Sequence, residues 1–250
     1  MPSWVVRKQL FYLFIVIIVV AGVLFFVWMR LTAPTCSDYI QNQEEEGIDC
    51  GGPCAKQCLG EIKDLNIVWS RALDTGDGKY DIVALIENPN LYLSIPLLKY
   101  KFSIYGKNNV FISSKEGDTF VSPGNTFPIF AAGVDLGSKK PASVSVDFLN
   151  GINWQRTEMN KPQLVVSRKN FSNMPSPRLN VLVENKSFLP SPDFMISAVL
   201  YDKNKNAMGA SVAKADSIVS GGSAEVVFTW PKSFDSGPDS IEIFFNGENL

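Results

Sequence analysis

The sequence predicts an all-β protein that follows a single membrane-spanning helix. Three observations support this fold class. An unbroken apolar run occupies residues 10–29, five short motifs recur in the same order about 97 positions later, and apolar residues alternate with polar ones after residue 60. Alternation at every second position is typical of strands that are buried on one face. A repeat of this length is the size of a domain, so each copy can close a core of its own.

The apolar run reads LFYLFIVIIVVAGVLFFVWM and contains no charged residue. As a helix, it spans about 30 Å, which is the thickness of bilayer hydrocarbon. A core helix of a soluble protein would be shorter and would carry a polar face. A secretory signal peptide has a shorter apolar region that ends in small residues, whereas this run ends in Trp28 and Met29 and is followed by Arg30. The run therefore predicts an uncleaved transmembrane anchor.

The charges beside the run predict its orientation. Arg7 and Lys8 precede it, and only Arg30 follows it closely. Because the more basic flank stays in the cytoplasm, residues 1–9 are predicted to be cytoplasmic and the remaining chain extracellular or periplasmic. An even number of crowded cysteines fits a disulfide framework in an oxidising compartment, which agrees with this placement at the cell membrane.

The repeated motifs predict two tandem domains. We place the copies at residues 61–155 and 162–250, joined by a short polar segment. The matches are VWSRA (68–72) with VVSRK (165–169), ALIEN (84–88) with VLVEN (181–185), IYGKN (104–108) with LYDKN (200–204), VSPGNTFPIF (121–130) with VSGGSAEVVF (219–228), and DFLNG (147–151) with IFFNG (243–247).

Within each copy, short alternating runs are separated by turn sequences. Val144, Val146 and Phe148 alternate with polar residues, and stretches such as DTGDGK and SPGN fall between such runs. About seven short strands per copy are expected from this spacing. The sequence therefore predicts two tandem immunoglobulin-like β-sandwiches of antiparallel strands.

Two known domain families share these patterns. Residues 83–130, which begin VALIENPNLYLSIPLLKY, are similar to the water-stress domain of late-embryogenesis proteins. Residues 196–230, which begin ISAVLYDKNKN, resemble the FxLYD-type extracytoplasmic domain, although Lys186 stands where an N-P-N turn would run. Both resemblances imply a β-sandwich with a binding or structural role and no shared catalytic apparatus.

The cysteine-rich segment, residues 30–60, resembles the motif C-x-D-G-I-x-N-G-x-E-T-G-x-D-C-G-G-x-C that is found beside membrane anchors or domains of prokaryotic surface proteins. Tyr39 and Gln43 replace two of its glycines, and Glu46 replaces its threonine. The positions that coincide with the motif are Cys36, Asp38, Ile40, Asn42, Glu45, Gly47, Asp49, Cys50, Gly51, Gly52 and Cys54.

Four chemistries compete for this segment. A zinc site would need four thiolates, usually in paired C-x2-C knuckles, and a redox dithiol would need C-x-x-C beside a βαβ unit. A calcium site would use hard oxygen ligands. The fourth interpretation, a disulfide-stapled spacer with solvated acids, suits a peptide too small for a core. The spacer interpretation is preferred, with Cys36 paired to Cys50 and Cys54 to Cys58 on proximity alone, and the calcium ligands would be Asp38, Asn42, Glu45 and Asp49.

Two further positions match a modification motif. The sequons NFS and NKS make Asn170 and Asn185 candidate N-glycosylation sites in the predicted exterior part of the chain.

The composition argues against catalysis and nucleic-acid binding. The chain has no histidine and a formal net charge of −2, without a basic cluster. We therefore expect no cofactor other than calcium, no nucleic-acid partner, and a non-enzymatic binding or structural role at the cell envelope, with a protein or envelope partner. The alternative is a ligand-sensing ectodomain or the accessory subunit of a membrane complex.

Overall fold

The computed structural model describes residues 4–31, 36–37, 41, 44–47, 49–54, 56, 58, 62–149, 151–157 and 162–248. The chain forms two compact units, Met1–Ile62 and Lys63–Leu250. The predicted all-β class behind one N-terminal helix is confirmed.

The first unit contains the only α-helix of the described residues, α1, at Trp4–Leu31. Its segment Val6–Trp28 is 23 residues long, has a mean hydropathy of 3.2, and is not buried at any position. The helix is therefore long and apolar enough to cross a membrane.

The second unit begins with a sandwich of two antiparallel sheets. One sheet has the strand order β1-β2-β5, and the other has the order β4-β3-β6, with β7 paired to the start of β3. The strands are β1 (Asn66–Gly76), β2 (Lys79–Glu87), β3 (Leu93–Tyr105), β4 (Phe111–Val121), β5 (Thr126–Asp135), β6 (Ser143–Leu149) and β7 (Gln155–Arg156), and a short 3₁₀ helix lies at Lys107–Asn109.

The second sandwich repeats this strand order. Its sheets are β8-β9-β12 and β11-β10-β13, so each strand occupies the place of its counterpart in the first sandwich. Its strands are β8 (Leu164–Ser172), β9 (Arg178–Asn185), β10 (Phe194–Tyr201), β11 (Ala207–Ala215), β12 (Ser223–Thr229) and β13 (Ser240–Asn246). The described part of this sandwich has six strands, one fewer than the sequence predicts, because β7 has no counterpart among them.

Each sandwich closes its own apolar core. In β3, Tyr100, Phe102 and Ile104 point into the first core, while Lys99 and Lys101 alternate with them on the outer face. The second core is built in the same way, with Ile196, Ala198 and Leu200 of β10 packed against β9 and β12. This is the period-two pattern that the sequence shows.

A buried asparagine fixes the same turn in both sandwiches. Asn88 donates its amide hydrogens to the carbonyl oxygens of Leu93 and Ser122, at 2.7 and 3.0 Å. Asn185, 97 positions later, donates to the carbonyl oxygens of Leu189 and Ile218, at 2.8 and 2.9 Å. Both side chains are at most 1% exposed. Because a buried carbonyl left without a donor is costly, these amides hold the loop and the facing turn together.

A third apolar cluster joins the two sandwiches, and we call it the inter-sandwich core. It places the sheet β1-β2-β5 face to face with the sheet β11-β10-β13, so the unit has four β-layers. The second unit is therefore one packed body rather than two independent domains joined by a flexible linker. Its members are Trp69 and Leu73 of β1, Val83 of β2, Phe130 of β5, Val199 and Tyr201 of β10, Ala207 and Ala210 of β11, and Phe244 of β13.

The central strands of the inner layers are buried on both faces. In β2, Ile82 and Ala84 face the first core and Val83 faces the inter-sandwich core, all without measurable exposure. In β10, Leu200 faces the second core while Val199 faces the inter-sandwich core. Such strands read as continuous apolar runs rather than as strict alternation.

Polar contacts close both ends of the inter-sandwich core. At one end, Asn125 Nδ2 donates to the carbonyl oxygen of Phe245 at 2.7 Å, and Asn246 Nδ2 donates to that of Phe120 at 2.8 Å. At the other end, the Arg71 guanidinium donates to Asn206 Oδ1 at 2.9 Å. These directional bonds fix the register in which the two sheets pack.

We expect Val199→Ala to destabilise the whole second unit by about 2–3 kcal/mol, since it removes two buried methyl groups and leaves a cavity. The matched control is Val227→Ala, whose side chain is 37% exposed on the outer face of β12. Denaturant unfolding of the full chain in detergent should show one transition that shifts for Val199→Ala and hardly moves for the control. Two separate transitions, one per sandwich, would contradict the shared core.

Candidate functional site

The cysteine-rich segment is closed by two disulfides. Cys36 pairs with Cys54 and Cys50 pairs with Cys58, with Cα atoms 5.5 and 4.9 Å apart. The described residues contain no free cysteine. Among the described residues between Cys36 and Cys58, strand pairing is limited to an isolated bridge between Gly47 and Cys50.

The pairing expected from proximity, Cys36 with Cys50 and Cys54 with Cys58, is wrong. The backbone explains the difference. Gly51 N–H donates to the carbonyl oxygen of Lys56 at 2.7 Å, and Cys54 N–H donates to that of Gly51 at 2.9 Å, so the chain turns back between them. This turn brings Cys50 beside Cys58 and leaves Cys54 facing Cys36. Gly51 and Gly52 permit the turn because both have a positive φ, at 72° and 53°.

A buried carboxylate packs against one disulfide. Glu45 is 6% exposed, its Oε2 accepts a hydrogen bond from the Asp49 backbone N–H at 3.3 Å, and its Oε1 lies 3.0 Å from Cys54 Sγ. That sulfur carries no hydrogen, so the contact with Oε1 is not a hydrogen bond. Cys36, Glu45 and Cys54 lie close enough to suggest a metal site. Disulfide sulfurs are not thiolates, however, and the zinc interpretation therefore fails at these cysteines.

The calcium prediction falls only partly on described residues. Glu45 and Asp49 are both buried, and Asp49 adopts a positive φ of 55°. Asp38 and Asn42, the other two predicted ligands, lie outside the described residues. A calcium site formed by the four side chains stays a prediction.

The two sequons differ in accessibility. Asn170 is exposed on β8, so its glycosylation stays a prediction. Asn185 is fully buried, and its amide holds the carbonyl oxygens of Leu189 and Ile218. A glycan on Asn185 would have to replace those bonds and open the core, so the prediction for Asn185 is wrong.

A groove opens along the seam of the inter-sandwich core. It has a volume of about 370 Å³ and is lined by apolar side chains of both sandwiches, among them Phe120, Pro128, Met195 and Val212. The Tyr100 hydroxyl at its wall already donates to the carbonyl oxygen of Phe130 at 3.1 Å. The groove thus offers an apolar surface with few free polar groups.

Burial perturbs Tyr201, a tyrosine of the inter-sandwich core. The Tyr201 ring packs edge-on against Trp69, with ring centroids 6.4 Å apart. Burial, with a smaller contribution from the nearby Glu242 carboxylate, raises the pKa of the Tyr201 hydroxyl to about 12. The neutral phenol is therefore the form that the folded protein stabilises.

Sequence reasoning missed the inter-sandwich core, although a signal for it was present. The runs IVALI in β2 and ISAVLY in β10 are apolar at nearly every position. A strand with one solvent face alternates instead, as β9 does with Arg178, Asn180 and Glu184 on its outer face. The continuous runs indicated two strands that are covered on both sides.

Comparison with known proteins does not assign the chain to a family. No family model matches the chain, and no curated protein matches it. Among solved structures, red sea bream transglutaminase aligns with a TM-score of 0.23 and 9% identity over 76% of this chain. The alignment spans only 30% of that enzyme.

The disulfide connectivity predicts the thiol content of paired cysteine variants. Replacing Cys36 and Cys54 together by serine should leave Cys50 and Cys58 bonded, so the protein should show no free thiol. The control, Cys36→Ser with Cys50→Ser, removes one partner from each bond and should expose two thiols. Maleimide mass addition to the unreduced protein measures both, and the reverse result would restore the proximity pairing.

The raised pKa of Tyr201 predicts a loss of stability in alkali. An unfolded tyrosine ionises near pH 10. Between about pH 10 and 12 the unfolded chain has lost this proton while the folded protein keeps it, so the free energy of unfolding falls as pH rises. Below pH 10 the contribution is fully present.

We expect Tyr201→Phe to flatten this decline, because phenylalanine has no proton to lose. Denaturant unfolding of both proteins between pH 9 and 12 gives the two slopes. Two curves with equal slopes, separated only by the constant packing effect of the substitution, would contradict the raised pKa.

Proposed function

We propose that this chain is a single-pass membrane protein whose two-sandwich unit lies outside the cytoplasmic membrane and has a non-enzymatic binding or structural role at the cell envelope. One observation carries the proposal: an apolar helical segment of 23 residues with none of its window buried, in a chain whose next segment is closed by two disulfides. Such a helix needs a lipid environment, and such disulfides persist in oxidising compartments.

Several features support the finer parts of this proposal. Arg7 and Lys8 before the helix favour a cytoplasmic N-terminus. The identical strand order of the two sandwiches supports an origin as tandem copies of one immunoglobulin-like module. The motif around Cys36 to Cys54, together with the resemblances to water-stress and FxLYD domains, supports an extracytoplasmic surface protein.

The four-layer unit suits a display or scaffold role. Its sheets are locked by the inter-sandwich core and by bonds such as Asn125 to Phe245, so its surfaces keep fixed relative positions. A rigid body loses little conformational entropy when it binds, which favours recognition by preformed surfaces. The partner would be a protein or another component of the envelope.

A ligand-binding ectodomain is the second candidate, and the groove between the sandwiches favours it. Its volume of about 370 Å³ lies within the range of small-molecule pockets. A ligand bound there would contact side chains of both sandwiches, including Phe120 and Met195. Its affinity would therefore depend on how the two sandwiches pack against each other.

Membrane extraction tests the first proposal. The full chain should stay in the membrane pellet at alkaline pH. The intact mass of the purified protein should include the residues of α1. Protease added to spheroplasts should degrade the sandwiches while sparing the N-terminus. Replacing Val16 and Val20 by lysine places two charges at the centre of the span and should release the protein.

The control carries the same two substitutions at Val110 and Val227, which are exposed on the second unit, and should stay in the pellet. A mature protein that lacks residues 1–30 would show that the helix is a cleaved signal, which would overturn the anchor.

A further inference from the structure

Several exposed apolar side chains lie in the loops of the second unit that follow β2, β9 and β11. Phe188 is 98% exposed, and the other apolar side chains of these loops are between 45% and 67% exposed. We call these residues the apolar end: Leu91, Tyr92, Phe188, Leu189 and Val219.

Backbone hydrogen bonds place these loops at the same end of the unit. Thr157 N–H donates to the carbonyl oxygen of Tyr92 at 2.9 Å, and Lys186 N–H donates to that of Gln163 at 2.8 Å. Thr157 and Gln163 are six positions apart in the sequence, and a chain of that length spans at most about 20 Å. Ser220 Oγ donates to the carbonyl oxygen of Ser187 at 2.8 Å, which adds the Val219 loop to the group.

The Phe188 loop is organised from beneath rather than loosely exposed. The buried Asn185 accepts from the Ser187 backbone N–H at 3.0 Å and donates to the carbonyl oxygen of Leu189 at 2.8 Å. These bonds flank Phe188 on both sides. An apolar side chain presented on a fixed loop enters a binding site or a lipid surface with little further ordering cost.

The chain that leads from the helix enters the unit at this same end. Lys63, the first residue of the unit, exchanges two hydrogen bonds with Asn90, at 2.9 and 2.7 Å, and Leu91 follows directly. The Cys36–Cys54 disulfide also shortens the covalent path between Leu31 and Lys63. Fully extended, that path measures roughly 110 Å without this disulfide and about half of that with it.

The charged side chain beside Phe188 in the sequence is already paired, because Lys186 forms an ion pair with Glu184. The exposed side chains of the apolar end are aromatic and aliphatic, which is the composition of segments that lie at the boundary between headgroups and acyl chains.

We propose that the apolar end of the two-sandwich unit docks on the lipid headgroup region of the membrane that α1 crosses. This inference rests on the proposed anchor, and it adds a second membrane contact beside the helix. The side chains of Phe188, Leu189 and Val219 would enter the interface, and Leu91 and Tyr92 would lie beside them. A zwitterionic surface suffices, because the contact is apolar.

Site-directed spin labelling of the full chain in phosphatidylcholine nanodiscs, with one copy per disc, tests this proposal. Single cysteines carry the nitroxide at Phe188→Cys, at Phe111→Cys and at Val16→Cys. Phe111 is the matched control, since it is also an exposed phenylalanine, at 55%, and pairs with Tyr105 at the far end of β3. The thirteen residues from Leu93 to Tyr105 put it roughly 35–40 Å from the apolar end.

Collision of the nitroxide with oxygen, which concentrates in lipid, is compared with collision with a water-soluble nickel chelate. At position 188 the ratio should favour oxygen, as it does for a label in lipid, and at position 111 it should favour nickel. A label at Val219→Cys repeats the test on the neighbouring loop.

Each other outcome overturns the proposal in a recognisable way. Equal nickel access at positions 188 and 111 means that the end is solvated although the helix is inserted. Shielding of position 188 from both reagents means that protein, rather than lipid, covers it. Nickel access at Val16 means that the helix is not in the bilayer, and the proposed anchor itself then fails.

Discussion

The packing of β2 against β10 is the constraint on which the second unit depends. Val83 and Val199 both belong to the inter-sandwich core and have no measurable exposure, and the Tyr201 ring in the same core packs against Trp69. Each of these strands also contributes side chains to the core of its own sandwich. A change in the packing of the inter-sandwich core therefore disturbs the cores of both sandwiches. Close packing of this kind makes two small domains behave as one larger one, which buries a greater share of its surface.

The interface joins faces that are not equivalent. The first sandwich contributes its β1-β2-β5 sheet, whereas the second contributes its β11-β10-β13 sheet, the counterpart of β4-β3-β6. Contacts of this head-to-tail kind can continue indefinitely if the free faces match the buried ones. Here they do not match. Lys99 and Lys101 of β3 occupy the outer layer in which β10 places apolar residues, and Asn180 of β9 faces outward where β2 has Val83. The outer faces therefore differ at these positions from the faces that are buried between the sandwiches.

The covalent linker between α1 and the second unit is a further constraint on the molecule. A sandwich on a long free linker would sample a large volume above a membrane, because loop entropy grows with linker length. The Cys36–Cys54 disulfide shortens that linker, and the bonds between Lys63 and Asn90 fix the point at which it joins the unit. The exposed side chains of the apolar end lie in loops at the same end of the unit.

The sequence by itself determined the elements whose cause is local. The apolar run of α1 and the alternating strands such as β3 follow from residue order alone, because a helix or a half-buried strand repeats its environment every few positions. The matched motifs likewise predicted two sandwiches, and the match of ALIEN with VLVEN aligned Asn88 with Asn185. Only the tertiary structure decided which faces met, how the cysteines paired, and that Asn185 was buried rather than open to modification. Those outcomes depend on contacts between residues distant in sequence, and backbone turns at glycines or packing between whole sheets set them, which no short pattern records.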